Sequence, residues 1–291
     1  MTGINEGPVC RGGRGDGDRD RAVDPSNRGG CQGCDGVALI YETAETQVLR
    51  VPAGDGGAAL IRKQSLGPSA ARRVRHEIEI FGRLAGIEGV PRLIIDQCEP
   101  DTVVMIDDGG TSVIDLAAPL CTDLSAVVEF AIRVSEIIDE VHHRGVIHRD
   151  INPRNIVVQA DGRRPALIDF DLATTHAEEC SDVAQRREMA GTLAYLAPEQ
   201  SGRTGYVIDH RADLYAWGAT LFELVSGRPP FVENDALALV GHHLTSPPPC
   251  PSALNPAVPP ALSEIVLRLL AKAPEDRYQS AEGLRADLCR L

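Results

Sequence analysis

Apolar and polar residues in the first third of the chain follow the short, turn-bounded runs typical of β-strands. Five strands are predicted, at 37–41, 46–51, 58–63, 92–95 and 102–106. Turns are predicted at 53–57, which is rich in glycine, and at 98–101. Between the third and fourth strands, residues 69–84 carry apolar side chains at helical spacing and are followed by Gly86, which predicts a single helix.

The pattern becomes helical after Gly109 and Gly110. Residues 123–143 carry a continuous apolar stripe behind a capping Asp123, and two short strands are predicted after it, at 146–147 and 156–158. Later helices are predicted at 211–226, 235–244, 261–271 and 281–291. A strand-rich region with one helix, followed by a mostly helical region, predicts an α+β fold.

Residues 1–35 differ from the rest, because they are rich in Gly, Arg and Asp and contain almost no large apolar side chain. Such a segment is expected to be a disordered leader. Only Cys31 and Cys34 form a CxxC pair, and without a second pair or nearby His ligands we expect no metal site there.

The net charge of −13 argues against binding to nucleic acid or to an anionic membrane surface. No apolar run approaches the roughly 20 residues of a membrane span. The first residues lack the apolar centre of a signal peptide, so a cytoplasmic protein is expected.

Three polar residues in the second half have the spacing that phosphoryl transfer requires. Asp150 is followed five residues later by Asn155, and Asp169 comes fourteen residues after that. One carboxylate can orient an attacking hydroxyl, while an amide oxygen and a second carboxylate can hold Mg²⁺ on nucleotide phosphates. The alternative is a polar turn between the two short strands.

A lysine for the phosphates is predicted at the end of the third strand. Lys63 lies fourteen residues before Glu77, which stands on the following helix, and a Lys–Glu pair is the expected phosphate anchor. Arg62 and Glu79 are the alternatives, because spacing alone does not separate the two strand cations.

Downstream motifs complete the pattern. The segment 191–199 reads GTLAYLAPE, Asp213 begins a buried apolar helix, and Arg277 follows a Pro-Glu-Asp turn. Together with His148-Arg149-Asp150 and Asp169-Phe170, these residues resemble a eukaryotic-type (Hanks-type) bacterial serine/threonine protein kinase domain.

This resemblance implies a two-lobed kinase fold, with an N-lobe at 36–108 and a C-lobe at 109–291. It implies ATP and Mg²⁺ as the bound groups, with Asp150 and Asn152 as catalytic residues and Asn155 and Asp169 as metal ligands. It places five residues at the ATP site, namely Lys63, Glu77, Val48, Ile61 and Asp107. It gives structural roles to Arg149, Thr192, Glu199, Asp213 and Arg277.

A closer resemblance links residues 38–291 to the N-terminal kinase domain of hybrid bacterial sensors. The residues that carry it are Asp150-Ile-Asn-Pro-x-Asn, the hairpin at Tyr41-Glu42, and the segment 191–203. In those proteins an AAA-type ATPase module and a histidine kinase follow the kinase domain. An ATPase or a histidine kinase is therefore an expected partner, while the protein substrate is open.

The chain departs from the usual kinase pattern at three places. Asn152 replaces a lysine, Asp171 replaces a glycine, and the hairpin at 41–48 that would cover the phosphates has no glycine. The predicted function is an ATP- and Mg²⁺-dependent serine/threonine kinase of reduced rate. The alternative is a pseudokinase that senses nucleotide or acts as a scaffold.

Overall fold

The computed structural model of the chain describes residues 36–52, 57–115, 123–158, 164–175 and 192–291. The predicted leader at 1–35 lies outside these residues, as does most of the predicted turn at 53–57. A sheet with one helix is followed by a mostly helical region, so the predicted α+β fold with two lobes is confirmed. Among the described residues, no helix is both long enough and apolar enough to cross a membrane.

Four antiparallel strands form the first sheet, in the order β1-β2-β3-β4. They span Ala38–Glu42 (β1), Thr46–Val51 (β2), Leu60–Ser65 (β3) and Thr102–Ile106 (β4). β2 and β4 have the predicted bounds. β3 begins two residues later than predicted, because Leu60 is the first residue that pairs with both neighbouring strands, with Val51 and Ile106.

The helix α1, Ala70–Leu84, packs against this sheet as predicted. Val74 on its buried face belongs to a small apolar cluster with Val103 and Met105 of β4. Burial of an aliphatic side chain of this size stabilises the fold by about 1.5–3 kcal/mol, so the apolar stripe holds α1 and the residues it carries on the sheet.

The prediction of a strand at 92–95 is wrong. Only Leu93 pairs with Met105, as an isolated bridge, and Ile95–Gln97 form a 3₁₀ turn instead. The N–H of Ile94 donates to the carbonyl oxygen of Val104 and the N–H of Ile106 donates to that of Arg92, both at 2.9 Å, but the chain enters the 3₁₀ turn directly after Ile94, which ends the pairing.

The hairpin between β1 and β2 is closed without glycine. The side-chain oxygen of Thr43 accepts hydrogen bonds from the backbone N–H groups of Glu45, at 3.2 Å, and Thr46, at 3.0 Å. The guanidinium of Arg73 donates to the carbonyl oxygens of Glu45, at 3.0 Å, and Leu66, at 2.7 Å. Because the Arg73 side chain is only 10% exposed, it ties the tip of the hairpin to α1 from a buried position.

Within the described part of the second region, five short strands frame the polar segments. They are Thr111–Ser112 (β5), Val146–Ile147 (β6), Ile156–Val158 (β7), Pro165–Leu167 (β8) and Thr174–Thr175 (β9). β5, β7 and β8 form one small sheet, and β6 pairs with β9. The loop 148–155 thus joins β6 to β7, and the loop 168–173 joins β8 to β9.

Six helices of the described residues build the second region. They span Leu124–His143 (α2), Arg211–Ser226 (α3), Ala236–Thr245 (α4), Pro251–Leu254 (α5), Pro260–Leu269 (α6) and Ala281–Leu288 (α7). Asp123 caps α2 as predicted, by accepting a hydrogen bond from the N–H of Ala126 at 3.1 Å. α6 ends two residues and α7 three residues earlier than predicted, and α5 was not predicted, because four residues give no helical period.

The helix α3 lies at the centre of the hydrophobic core, and thirteen of its sixteen residues are buried. Trp217 and Phe222 are fully buried. Gly218 lies against α6 so closely that a Cβ atom there would be 2.5 Å from the Cβ of Leu269. α3 therefore provides a rigid, desolvated base for the polar residues at its beginning.

A buried ion pair joins Glu199 to Arg277. The two guanidinium nitrogens of Arg277 lie 2.7 and 2.8 Å from the carboxylate oxygens, and both side chains are fully buried. The other N–H groups of Arg277 donate to the carbonyl oxygens of Ala271, Arg211 and Lys272. All five donors of the guanidinium are thus satisfied, which a buried arginine requires.

Replacing Arg277 by methionine is expected to lower the free energy of unfolding by about 3–5 kcal/mol, because Glu199 is left buried without its partner. Urea denaturation measures the loss. The control is Arg290→Met, which removes an exposed ion pair with Asp287 and is expected to cost less than about 1 kcal/mol. Equal losses in the two variants would contradict the assigned role of Arg277.

Replacing Arg73 by alanine is expected to free the hairpin, because two hydrogen bonds to its charged group are lost. Amide hydrogen exchange at residues 45–48 should become at least about tenfold faster. Arg72→Ala is the matched control, because Arg72 is the exposed neighbour on the same helix. Unchanged exchange in the Arg73 variant would show that the tether is not what orders the hairpin.

Candidate active site

Lys63 lies at the centre of a charged cluster between β3, α1 and the loop after β8. Its ammonium nitrogen is 2.9 Å from Glu77, 2.6 Å from Asp169 and 3.0 Å from Asp171. Lys63 and Glu77 are 5% and 1% exposed. The predicted Lys63–Glu77 ion pair is therefore present and is shielded from water.

Arg62 and Glu79, the alternatives to Lys63 and Glu77, are directed away from this cluster. Arg62 lies 3.1 Å from Glu99, with both side chains exposed. Glu79 lies 3.7 Å from Arg83 on the outer face of α1. Residues 62 and 63 face opposite sides of the sheet because they are neighbours on one strand, and the structure places Lys63 on the side of α1.

Charge and burial oppose each other in this cluster. Burial lowers the pKa of Lys63, but Asp169, Glu77 and Asp171 outweigh it, so the pKa stands well above its usual value. Burial raises the pKa of Glu77 to about 8, although Lys63 acts in the other direction. Three carboxylates surround a single ammonium group. Glu77 is the most deeply buried of the three, so burial raises its pKa the most.

The loop 148–155 is held by one buried carboxylate at the start of α3. Asp213 accepts hydrogen bonds from the backbone N–H groups of His148, at 2.8 Å, and Arg149, at 2.7 Å. His142, at the end of α2, lies 2.9 Å from the same carboxylate. Burial would raise the pKa of Asp213, yet these contacts hold it below its usual value, so the anchor stays ionised.

Two residues of the site have a backbone conformation that side chains rarely adopt. The φ angles are +68° at Arg149 and +65° at Asp169, the only positive values outside glycine among the described residues. Gln200 donates to the carbonyl oxygen of Arg149 at 2.9 Å. Such strain costs about 1–3 kcal/mol per residue and persists because the surrounding hydrogen bonds fix it.

Asp150 projects from this loop towards the cleft. The side-chain nitrogen of Asn155 donates to the carboxylate of Asp150 and to its carbonyl oxygen, both at 2.9 Å. Asn152 donates to the same carbonyl at 3.0 Å and accepts from the N–H of Arg154 at 2.9 Å. Asn152 is only 3% exposed, so its amide stabilises the loop in this conformation.

The donor set beside Asp150 suits a divalent cation. Both hydrogen bonds of the Asn155 side chain leave from its nitrogen, so its oxygen is the atom directed to other ligands. The Asp169 side chain is 40% exposed and lines the same cleft. One amide oxygen and one carboxylate are hard ligands, which fit a hard cation of the Mg²⁺ type.

The segment after Asp169 is fixed by packing. Phe170 is fully buried, with its ring 5.3 Å from that of Phe81 on α1 and 4.6 Å from that of His148. His76 on α1 contacts the carbonyl oxygen of Ala173 at 2.7 Å. The helix that carries Glu77 and the segment that carries Asp169 and Asp171 are therefore joined at two points.

A cleft of about 1930 Å³ connects these residues. Lys63, Asp150, Asn155 and Asp169 line it. Val48, Ile61 and Asp107, which were predicted at the ATP site, also lie on its wall. Asp107 is bonded to Arg50 and to the N–H of Gly109, so its carboxylate shapes the mouth of the cleft.

Four contacts of the site were not predicted from the sequence. They involve His76, His142, Asp171 as a partner of Lys63, and Gln200. His142 stands in the last turn of α2, six residues before His148, and this spacing is the only local signal. The side chain of Thr192, which was expected near Asp150, lies outside the described residues, and its role stays a prediction.

Comparison with known proteins gives one family. The family model of the protein kinase domain matches residues 60–288. The chain is 34% identical over 261 residues, 85% of its length, to the DNA damage-responsive serine/threonine-protein kinase RqkA of Deinococcus radiodurans. It is 38% identical over 150 residues, 52% of its length, to the serine/threonine-protein kinase PknB of Mycolicibacterium smegmatis.

A probable serine/threonine-protein kinase of Streptomyces coelicolor, SCO3848, is 35% identical over 161 residues, 55% of this chain. The matches span 38% of RqkA and 24% of each of the other two relatives. The closer resemblance to hybrid sensors stays a prediction. The match to most of the chain, together with the geometry of Lys63, Asp150 and Asp169, shows that this protein belongs to the protein kinase family.

Proposed function

We propose that the chain transfers the terminal phosphate of ATP to serine or threonine hydroxyls of proteins, with Mg²⁺ as the metal. The observation that carries this proposal is the meeting of Lys63, Asp150, Asn155 and Asp169 on one cleft. The relatives support the hydroxyl class, because each is named a serine/threonine-protein kinase. They give no support to the alternative of a pseudokinase.

Asp150 is the group that receives the substrate hydroxyl. The hydrogen bond from Asn155 fixes its carboxylate, and Asp213 fixes the backbone on which it stands. A carboxylate held in this way orients the hydroxyl oxygen towards the phosphate and accepts its proton. The main contribution of the protein is thus to position the hydroxyl and the phosphate, which is what phosphoryl transfer requires.

The other residues hold the nucleotide. Lys63 provides the cation for the phosphates, and Val48 and Ile61 provide the apolar wall for the base. Asn155 and Asp169 would hold Mg²⁺, which offsets negative charge on the phosphates when it is bound. Glu77 keeps Lys63 in place through a contact of 2.9 Å.

Asn152 is the residue from which we expect a reduced rate of phosphate transfer. A lysine at this position would bring a positive charge towards the transferred phosphate, whereas the Asn152 amide is bonded inside the loop. Transfer therefore proceeds without that charge, and we expect it to be slower than in a kinase with the lysine.

Asp150→Asn tests the proposal. The measurement is incorporation of labelled phosphate from ATP and Mg²⁺ into the chain itself and into a generic protein substrate. We expect the variant to be at least about a hundredfold slower than the wild type, because an amide cannot accept the proton. Nucleotide binding should be retained, since Asp150 contacts the hydroxyl and not the base.

The matched control is Asp96→Asn, which removes an exposed carboxylate outside the cleft and is expected to leave transfer unchanged. Transfer at equal rates by the wild type and Asp150→Asn would contradict the assigned role of Asp150. Absence of transfer by the wild type at high enzyme concentration would contradict the proposed function itself.

A further inference from the structure

Asp171 stands where the family has glycine, and the structure gives it a partner. Its carboxylate oxygen lies 3.0 Å from the ammonium nitrogen of Lys63. The Asp171 side chain is 20% exposed, so this contact is largely withdrawn from water. Lys63 in turn lowers the pKa of Asp171 in opposition to burial, as expected of an ion pair.

The contact adds a third carboxylate to the surroundings of Lys63. An ammonium group has three N–H donors, and three carboxylates lie within 3.0 Å of it, those of Glu77, Asp169 and Asp171. Two of these donors form hydrogen bonds, with Glu77 and Asp169, whereas Asp171 is held to Lys63 by charge and not by a hydrogen bond. A nucleotide phosphate that approaches Lys63 therefore meets an ammonium whose charge is already offset by the nearby carboxylate of Asp171.

Asp171 is the carboxylate with no other assigned task. Glu77 lies on the buried face of α1 and keeps Lys63 in place, and Asp169 is a residue that would hold the divalent cation. The backbone of Asp171 does not have the positive φ that would favour glycine, since positive values outside glycine occur only at Arg149 and Asp169 among the described residues. The carboxylate, and not a backbone constraint, is therefore what this position contributes.

Packing keeps Asp171 in reach of Lys63. The preceding Phe170 is buried between Phe81 and His148, and the N–H of Ala173 donates to the carbonyl oxygen of Phe170 at 3.1 Å. His76 holds Ala173 from the other side. The segment is a tight turn between two fixed points, so the pairing follows from the fold and not from a freely moving side chain.

The net charge of the cluster also opposes the binding of a phosphate to Lys63. Asp169 and Asp171 alone bring two carboxylates against one ammonium, so the cluster carries excess negative charge even where the raised pKa of Glu77 keeps that group protonated. A polyphosphate is also strongly negative, and like charges repel one another more in a partly buried site than in water.

From these contacts we infer that Asp171 competes with the nucleotide phosphates for Lys63 and thereby weakens the affinity of the site for ATP. This inference rests on the proposed function, because it gives Lys63 the role of phosphate anchor. Asp171 is a specificity-determining residue in this scheme, since it acts on ligands with phosphates and not on the nucleoside. The opposite role, an added metal ligand beside Asp169, predicts the opposite sign.

The test compares the full-length wild type with Asp171→Asn and Asp171→Gly by titration calorimetry. The ligands are ATP, ADP and adenosine, each with and without Mg²⁺. Asparagine keeps the size of the side chain and removes its charge, and glycine removes both. Asp96→Asn is the control, because it removes an exposed carboxylate that does not line the cleft.

We expect both Asp171 variants to bind ATP and ADP about tenfold more tightly than the wild type, with adenosine unchanged. Asp96→Asn should bind all three ligands like the wild type. Unchanged adenosine binding also shows that each variant is folded. Weaker or equal ATP binding in the Asp171 variants would overturn the inference, and weaker binding only with Mg²⁺ would assign Asp171 to the metal.

The measurements distinguish failure of the inference about Asp171 from failure of the proposed kinase function. If the wild type binds ATP and transfers phosphate while the Asp171 variants bind ATP no more tightly, the inference about Asp171 is overturned and the proposed function stands. If no variant binds ATP, ADP or adenosine, both are overturned.

Discussion

The ammonium group of Lys63 is the interaction on which the site depends. It joins β3, α1 and the loop after β8, because one carboxylate from α1 and two from that loop lie within 3.0 Å of it. A buried charge of this kind is stable only while its partners stay in place. The sheet, the helix that carries Glu77 and the segment that carries Asp169 are therefore held in one arrangement by a single side chain.

A second carboxylate, that of Asp213, does the same for the loop that carries Asp150. It lies at the start of the most buried helix and accepts two backbone N–H groups of the loop. The positive φ of Arg149 is tolerated because these hydrogen bonds outweigh its cost. Asp213 thus connects the hydrophobic core to the loop that carries Asp150. The Glu199–Arg277 ion pair fixes the segment around Glu199 to the same helix, because Arg277 also donates to the carbonyl oxygen of Arg211.

The sequence predicts most helices because their apolar periods are long, as α2 and α3 show. It fails at β5, β8 and β9, which lack the run of Val and Ile that identifies the equally short β6 and β7, and at 92–95, where the chain enters a 3₁₀ turn after Ile94. Motif spacing brings Lys63, Asp150, Asn155 and Asp169 together correctly in the cleft. It could not reveal that Asp171 contacts Lys63 or that Arg73 ties the hairpin to α1, because both contacts arise only in the folded chain. The ATPase or histidine-kinase partner stays a prediction.

A crystal structure of the chain with Mg²⁺ and a non-hydrolysable ATP analogue tests most directly whether Lys63 exchanges Asp171 for the phosphates. We predict that Lys63 keeps its contact with Glu77, lies within about 3 Å of a phosphate oxygen, and has lost its contact with Asp171. A complex in which Lys63 still contacts Asp171 while the phosphates are bound by other residues would contradict this prediction.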